Sequence, residues 1–275
     1  THAPLFSRLD TPLPAWLTEG LSTFYEFDTE LLGPRPDAVR LRQFTSTDLA
    51  RTASQAGSLF SLADLESQAD WNFRTDEDEL ALQYAESYMA VRFLIETYGP
   101  LSGKDLVMEI GLGSDLADSI KTVTGLELAD FESQFGGWLK AWENPERAVL
   151  AMYLADLEAL LEGRDAILEQ RARDIDTPMT ANEAIASRNR LVMSMAKLNR
   201  NLQTLTPPGE ASDLHQEAEG YFSRIQDWLT LELLSAESQN NAALAAANAT
   251  LPEIHARGIT FQQNMSRLQF VFNLA

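Results

Sequence analysis

Glu19 is an acid in a setting that invites chemistry. It stands in the segment PAWLTEGLSTFYEF, residues 14–27, where Pro14 suits a helix start and predicts a helix over that stretch. Leu17, Leu21 and Phe24 then share one face, and Trp16, Glu19, Thr23 and Glu26 lie on the neighbouring one. A carboxylate half buried beside Trp16 and Leu17 requires a cation, a hydrogen-bond donor or a metal ion. Gly20, next to it, weakens a helix but lets another backbone or a ligand come close. On these residues alone, an ordinary, partly exposed helix acid accounts for Glu19 as well.

Few other side chains can share that chemistry. The chain has no cysteine, which removes disulfides, thiolate metal sites and a cysteine nucleophile. Its three histidines are His2, His215 and His255, and no two of them have the i,i+4 spacing of a helical metal site.

The segment AWLTEGLSTFYEF resembles the W-L-x-E-G-x-A-x-Y-x-E stretch of gluzincin metallopeptidases, the group that includes the aminopeptidase N family and the peptidase MA-like bacterial proteins. The resemblance implies that Glu19 is the third zinc ligand of such a site. The first two ligands would be the histidines of an H-E-x-x-H helix, and His2 stands at a spacing that suits the second of them, slightly shorter than in the aminopeptidases. The stretch LQYAESYMAVRFL, residues 82–94, is similar to the segment whose tyrosine hydrogen-bonds the tetrahedral intermediate, which gives that role to Tyr84. Glu86-Ser87 stand there in place of the usual Lys-Gly pair. The resemblance covers about residues 1–142.

The implied chemistry is coherent. Two imidazoles and a carboxylate hold Zn²⁺ and leave one position for water. The metal acidifies that water and polarises the scissile carbonyl. The glutamate of H-E-x-x-H accepts the water's proton and delivers it to the leaving amine. A phenol such as that of Tyr84 stabilises the developing oxyanion. No H-E-x-x-H occurs in this chain, however, and it opens Thr1-His2 without a methionine. The expectation is a truncated or processed product, with the first histidine and the base lying upstream. Such a chain binds zinc weakly or not at all and does not hydrolyse peptides by itself. The rival expectation is a non-catalytic helical interaction module on a degenerate peptidase scaffold.

The elements that must position these residues are helical by pattern. Residues 78–98 carry Leu80, Tyr84, Tyr88, Val91 and Ile95 at steps of three and four, and Leu128, Phe131, Phe135 and Leu139 form a second stripe. Turn signals break up the text before about residue 144, among them GPRPD (33–37), YGPLSGKD (98–105) and GLGSD (111–115). GLGSD is a helix-to-helix turn rather than a dinucleotide fingerprint, and the acids of TDEDE (75–79) suit a helix N-terminus. DAVRLRQF, residues 37–44, alternates modestly and is the one strand candidate. After ENPER (143–147) come long helical periods over 146–174, 179–205 and 211–237. An alanine-rich helical stretch then runs from 238 to 275, which Pro252 should kink or split. The fold expected is mainly α. Residues 1–143 would be the C-terminal helical half of a gluzincin peptidase domain, and 144–275 an antiparallel bundle of about four helices.

Composition sets the outer limits. At 275 residues, with 45% hydrophobic and 23% charged residues, the chain can bury a substantial core. A net charge of −20 with no basic run argues against nucleic acid and anionic membrane as partners; the resemblance implies a peptide or protein substrate. No apolar stretch approaches the length of a membrane span. A location outside the cytoplasm follows only from the family and the lack of cysteine. His215 and His255 read as surface or packing residues, Trp138 and Trp142 as core or a domain joint, and Tyr221 and Trp228 as fill of the bundle.

Overall fold

The structure, a computed structural model, describes residues 12–239 and 241–274. Among these residues every regular element is a helix and none is a strand. No helix among them is long and apolar enough to cross a membrane. Two compact units emerge: Thr1–Trp142 together with Val271–Asn273, and Glu143–Phe270 together with Leu274–Ala275.

The first unit contains α1 (Ala15–Glu30), α2 (Pro36–Ala56), α3 (Gln68–Phe73), α4 (Glu77–Tyr98), α5 (Ser102–Gly111), α6 (Leu116–Thr124) and α7 (Leu128–Ala141). Its hub is α4, which packs on α1, α2, α5 and α7. Residues 85–91 of α4 are buried without a break, as expected of a helix surrounded on most sides. It starts where the Asp76 side chain accepts the N–H groups of Asp78 and Glu79, and its first turn is acidic, which suits the positive end of the helix dipole. From α7, Phe131, Phe135 and Trp138 close around Phe93, with ring centroids 5.3, 5.8 and 5.3 Å away. Between α5 and α6, Gly113 takes φ +98° and Asp115 caps the next helix, so GLGSD is the helix-to-helix turn its residues suggest.

One expectation for this unit is corrected. Residues 37–44 are not a strand but the opening of α2. Pro36 sits in the first turn of the helix, where its fixed φ is already helical and its missing N–H costs nothing. Val39, Phe44, Thr47, Ala50 and Ala53 are buried at helical spacing. That stripe outlasts the short alternation and decides the element.

The second unit contains α8 (Pro145–Asp176), α9 (Ala181–Thr204), a short 3-10 turn at Gly209–Ala211, α10 (Ser212–Ser238) and α11 (Asn241–Val271). Side-chain pairs set the helix directions. Tyr153 meets His215 at 3.1 Å, Arg164 meets Tyr221 at 3.2 Å and Arg171 meets Glu232 at 2.9 Å, so α8 and α10 run in parallel. Glu217 with Asn264 and Arg224 with Glu253 set α11 antiparallel to α10. Short connections on either side of α9 complete an up-down-up-down bundle. His215 is thus a buried packing residue, hydrogen-bonded to a tyrosine.

Of the kink or split expected at Pro252, the split does not occur; α11 runs through it. The proline removes a single helical hydrogen bond and lies exposed, where a bend costs least. Buried Ala243 and Ala247 before it and Phe261, Met265 and Leu268 after it hold both halves in the bundle.

Asn144 caps α8, the first helix of this unit. Its side-chain oxygen accepts the N–H groups of Glu146 and Arg147 at 2.9 and 3.3 Å. Asn144→Ala should lower stability by about 1 kcal/mol, whereas Asn144→Asp, which keeps the acceptor, should be near neutral in thermal melts.

Candidate functional site

The helix carrying Glu19 is held from its first turn. Pro14 offers no side-chain cap. Instead the N–H groups of Ala15 and Trp16 donate to the carbonyls of Glu66 and Leu65, at 2.9 and 3.0 Å. Those carbonyls belong to the loop between α2 and α3, which satisfies donors that a helix start leaves open. The loop is in turn fastened by two acids from distant helices. Phe60 N–H donates to Glu86 Oε2 of α4 at 3.0 Å, and Leu62 N–H donates to Glu132 Oε1 of α7 at 2.6 Å. Arg74 adds a clamp, donating to Gln83 Oε1 and to the Asp64 carbonyl, both at 3.2 Å, while lying over the Phe60 ring.

Gly20 is the point where α1 and α4 cross. A Cβ built there would fall inside the contact distance of the Ser87 carbonyl oxygen and 2.7 Å from Val91 Cγ2. Sequence left open whether a backbone or a ligand approaches Gly20, and the approaching group is the backbone of α4. Glu19, its neighbour, is half buried, and among the described residues its carboxylate has no hydrogen-bond or ion-pair partner. Tyr84 lies one turn before Ser87 on α4, so both candidate residues sit within a turn of the same crossing. At 43% exposure the Tyr84 ring reaches solvent, and its inner side meets buried Trp71 edge to face at 5.1 Å. Tyr84 therefore leaves the apolar stripe in which its spacing put it, while Tyr88 and Val91 of that stripe are buried. His2 lies outside the described residues.

Sequence reasoning missed Glu86. It is 1% exposed in the middle of α4, and its pKa is pushed up to about 8. Burial is the main cause and Glu132 adds to it, while the Phe60 N–H and Arg74 pull the other way. The available signal was the departure from the family pattern at Glu86-Ser87. A second polar chain steadies α4 one turn further on. The Tyr88 hydroxyl accepts from Gln43 of α2 at 2.9 Å and from Arg92 at 2.8 Å. Arg92 donates to Glu96 at 2.6 Å, and Glu96 accepts the Trp142 indole N–H at 3.0 Å.

These residues do not by themselves make a zinc centre. Among the described residues no group of three or more histidine, cysteine, aspartate or glutamate side chains is placed to hold a metal ion. Glu19 alone would offer one carboxylate, against the three protein ligands of a catalytic zinc. What the arrangement does provide is an unpartnered carboxylate and a phenol near one rigid helix crossing.

Residues 6–141 match the family model of the Peptidase MA superfamily, which supports a peptidase MA-like domain in the first unit. No curated protein and no solved structure matches the chain significantly.

Proposed function

Taking residues 6–141 as a peptidase MA-like scaffold, we propose that the chain carries part of the site of a zinc-dependent metallopeptidase that hydrolyses peptide bonds. In this reading Glu19 is the carboxylate ligand, His2 an imidazole ligand and Tyr84 the oxyanion donor. The carrying observation is the α1–α4 crossing at Gly20, which supports a rigid mounting for the two helices that carry Glu19 and Tyr84. The phenol of Tyr84 donates a hydrogen bond to the carbonyl oxygen that gains charge as water adds, and the edge of Trp71 limits how its ring can turn. The lone carboxylate of Glu19 suits a cationic ligand, since an acid without a partner beside buried Trp16 and Leu17 gains by acquiring one. The first imidazole and the base belong to an H-E-x-x-H that the 275 residues do not contain. Hydrolysis is therefore assigned to a chain that includes that motif, and this one is inactive alone.

Metal analysis and peptidase assays on two chains test the reading. The 275-residue chain should hold well under one zinc and cleave nothing. A longer chain, carrying H-E-x-x-H with His2 as its final histidine, should bind one zinc and cleave peptides. In that chain Glu19→Gln should lose tight zinc. Tyr84→Phe should keep the metal and lower kcat by roughly 10²-fold or more. A longer chain that holds zinc yet stays inert towards peptides overturns the enzyme and leaves the scaffold as an interaction module.

A further inference from the structure

In the second unit a cavity of about 180 Å³ opens where α8 and α10 end and α9 and α11 begin. Leu191 is buried in its wall, and Ile175 and Leu244 form a partly exposed apolar rim. Most of its charged groups are already engaged. Arg171 grips Glu232 through Nε, at 2.9 Å, and Nη2, and lies over the Trp228 ring at 4.2 Å. Asp174 accepts from the Ser187 hydroxyl and from Gln170, and these hydrogen bonds hold its carboxyl below the usual range. Arg188 differs. Its one hydrogen bond runs from Nη1 to the Ala184 carbonyl at 3.3 Å, so most of the donors of its guanidinium have no acceptor among the described residues. A guanidinium presents five N–H donors in a planar fork that matches a carboxylate.

We propose that this cavity binds a small carboxylate bearing one compact apolar group, with the carboxylate on Arg188 and the apolar group against Leu191, Ile175 and Leu244. Volume and charge select that class. A dry cavity of about 150 Å³ takes a benzene ring. The space here accordingly suits a single aryl or branched aliphatic group and excludes a nucleotide or a folded partner. The unfilled capacity is cationic, which turns away an amine. Asp174 and Glu232, in the same wall, turn away a phosphate or a dicarboxylate. The net charge of −20 opposes every anion at a distance, so affinity comes from the local contacts and is weak, about millimolar. The acid could be free or the C-terminal residue of a peptide.

Amide-resolved NMR titration of the full chain tests this with phenylacetate and its neutral analogue, phenylacetamide. Phenylacetate should shift the amides of Arg188, Leu191 and Leu244 saturably, and phenylacetamide should bind about tenfold more weakly. Arg188→Gln, a change at a partly exposed helix position, should abolish the difference between acid and amide while the rest of the spectrum stays folded. Acetyl-Gly-Leu with a free C-terminus, set against isovalerate, separates the sources, and the tighter of the two identifies which one fits. Equal binding of acid and amide, an unchanged preference in Arg188→Gln, or no saturable shift up to roughly 20 mM would each overturn the proposal.

Discussion

Replacing Glu86 by glutamine should raise the melting temperature at pH 8 and above, and leave it nearly unchanged below pH 4.5. The carboxyl titrates near pH 8 when folded and near its ordinary value of 4.5 when unfolded. Folding therefore takes up a proton between those values, and the native state loses stability as pH rises through the window. Below it both forms of the chain are neutral at this position, so the wild type and the variant coincide. Above it the wild type holds a buried anion near Glu132, and the variant does not. The shift, in which the opposing pull of the Phe60 N–H and Arg74 is already included, corresponds to an upper bound of roughly 5 kcal/mol. Glutamine keeps an oxygen for Phe60 N–H, so the loop between α2 and α3 should stay attached. Thermal melts of both proteins from pH 4 to 9 decide the matter, and parallel curves would sink it. Glu132→Gln supplies the internal control. Removing that neighbouring charge lowers the Glu86 pKa and should move the wild-type decline to higher stability at neutral pH, against the cost of the Leu62 N–H bond to a neutral acceptor.

Gly20→Ala should destabilise the first unit by about 2 kcal/mol or more, although alanine favours a helix by about 1 kcal/mol over glycine. The new Cβ would collide with the Ser87 carbonyl, a backbone group inside α4 that cannot rotate away, and with Val91 Cγ2. Relief requires α1 and α4 to separate along the seam that also holds Trp16, Leu17, Tyr88 and Val91, all of them buried. Denaturant unfolding of Gly20→Ala and Gly20→Val should show a graded loss, larger for valine. A neutral or stabilised alanine variant would mean that the helices do not meet here. In a zinc-competent chain the same separation would move Glu19 relative to Tyr84, so activity should fall further than stability alone explains.

How much of this was legible follows the range of each interaction. The α4 and α7 helices could be read because their apolar spacing and the acidic start at TDEDE are local signals. Residues 37–44 misled because eight residues of weak alternation carry less information than the longer stripe of α2, whose burial depends on neighbours far along the chain. Gly20 was legible as a place of close approach, but not the identity of what approaches. Glu86 was not legible. An acid inside an apolar helix reads as solvent-facing, and its partners here, the Phe60 N–H and Glu132 of α7, lie far along the chain. Trp71 was missed for the same reason: its contact with Tyr84 crosses between two helices whose packing no local pattern announces.

The carbonyl cap on α1 also bears on the order of folding. The first helix of the described chain is completed by Leu65 and Glu66, and their loop is fixed only once Glu86 and Glu132 are in place. Closing that circuit spans roughly a hundred residues of chain, so its entropy must be met before the cap can form. As the polypeptide is synthesised, α1 emerges ahead of α7 and waits for it before its first turn is secured. The stretch bearing Glu19 thus leaves the ribosome roughly a hundred residues ahead of the α7 acid that its final geometry depends on.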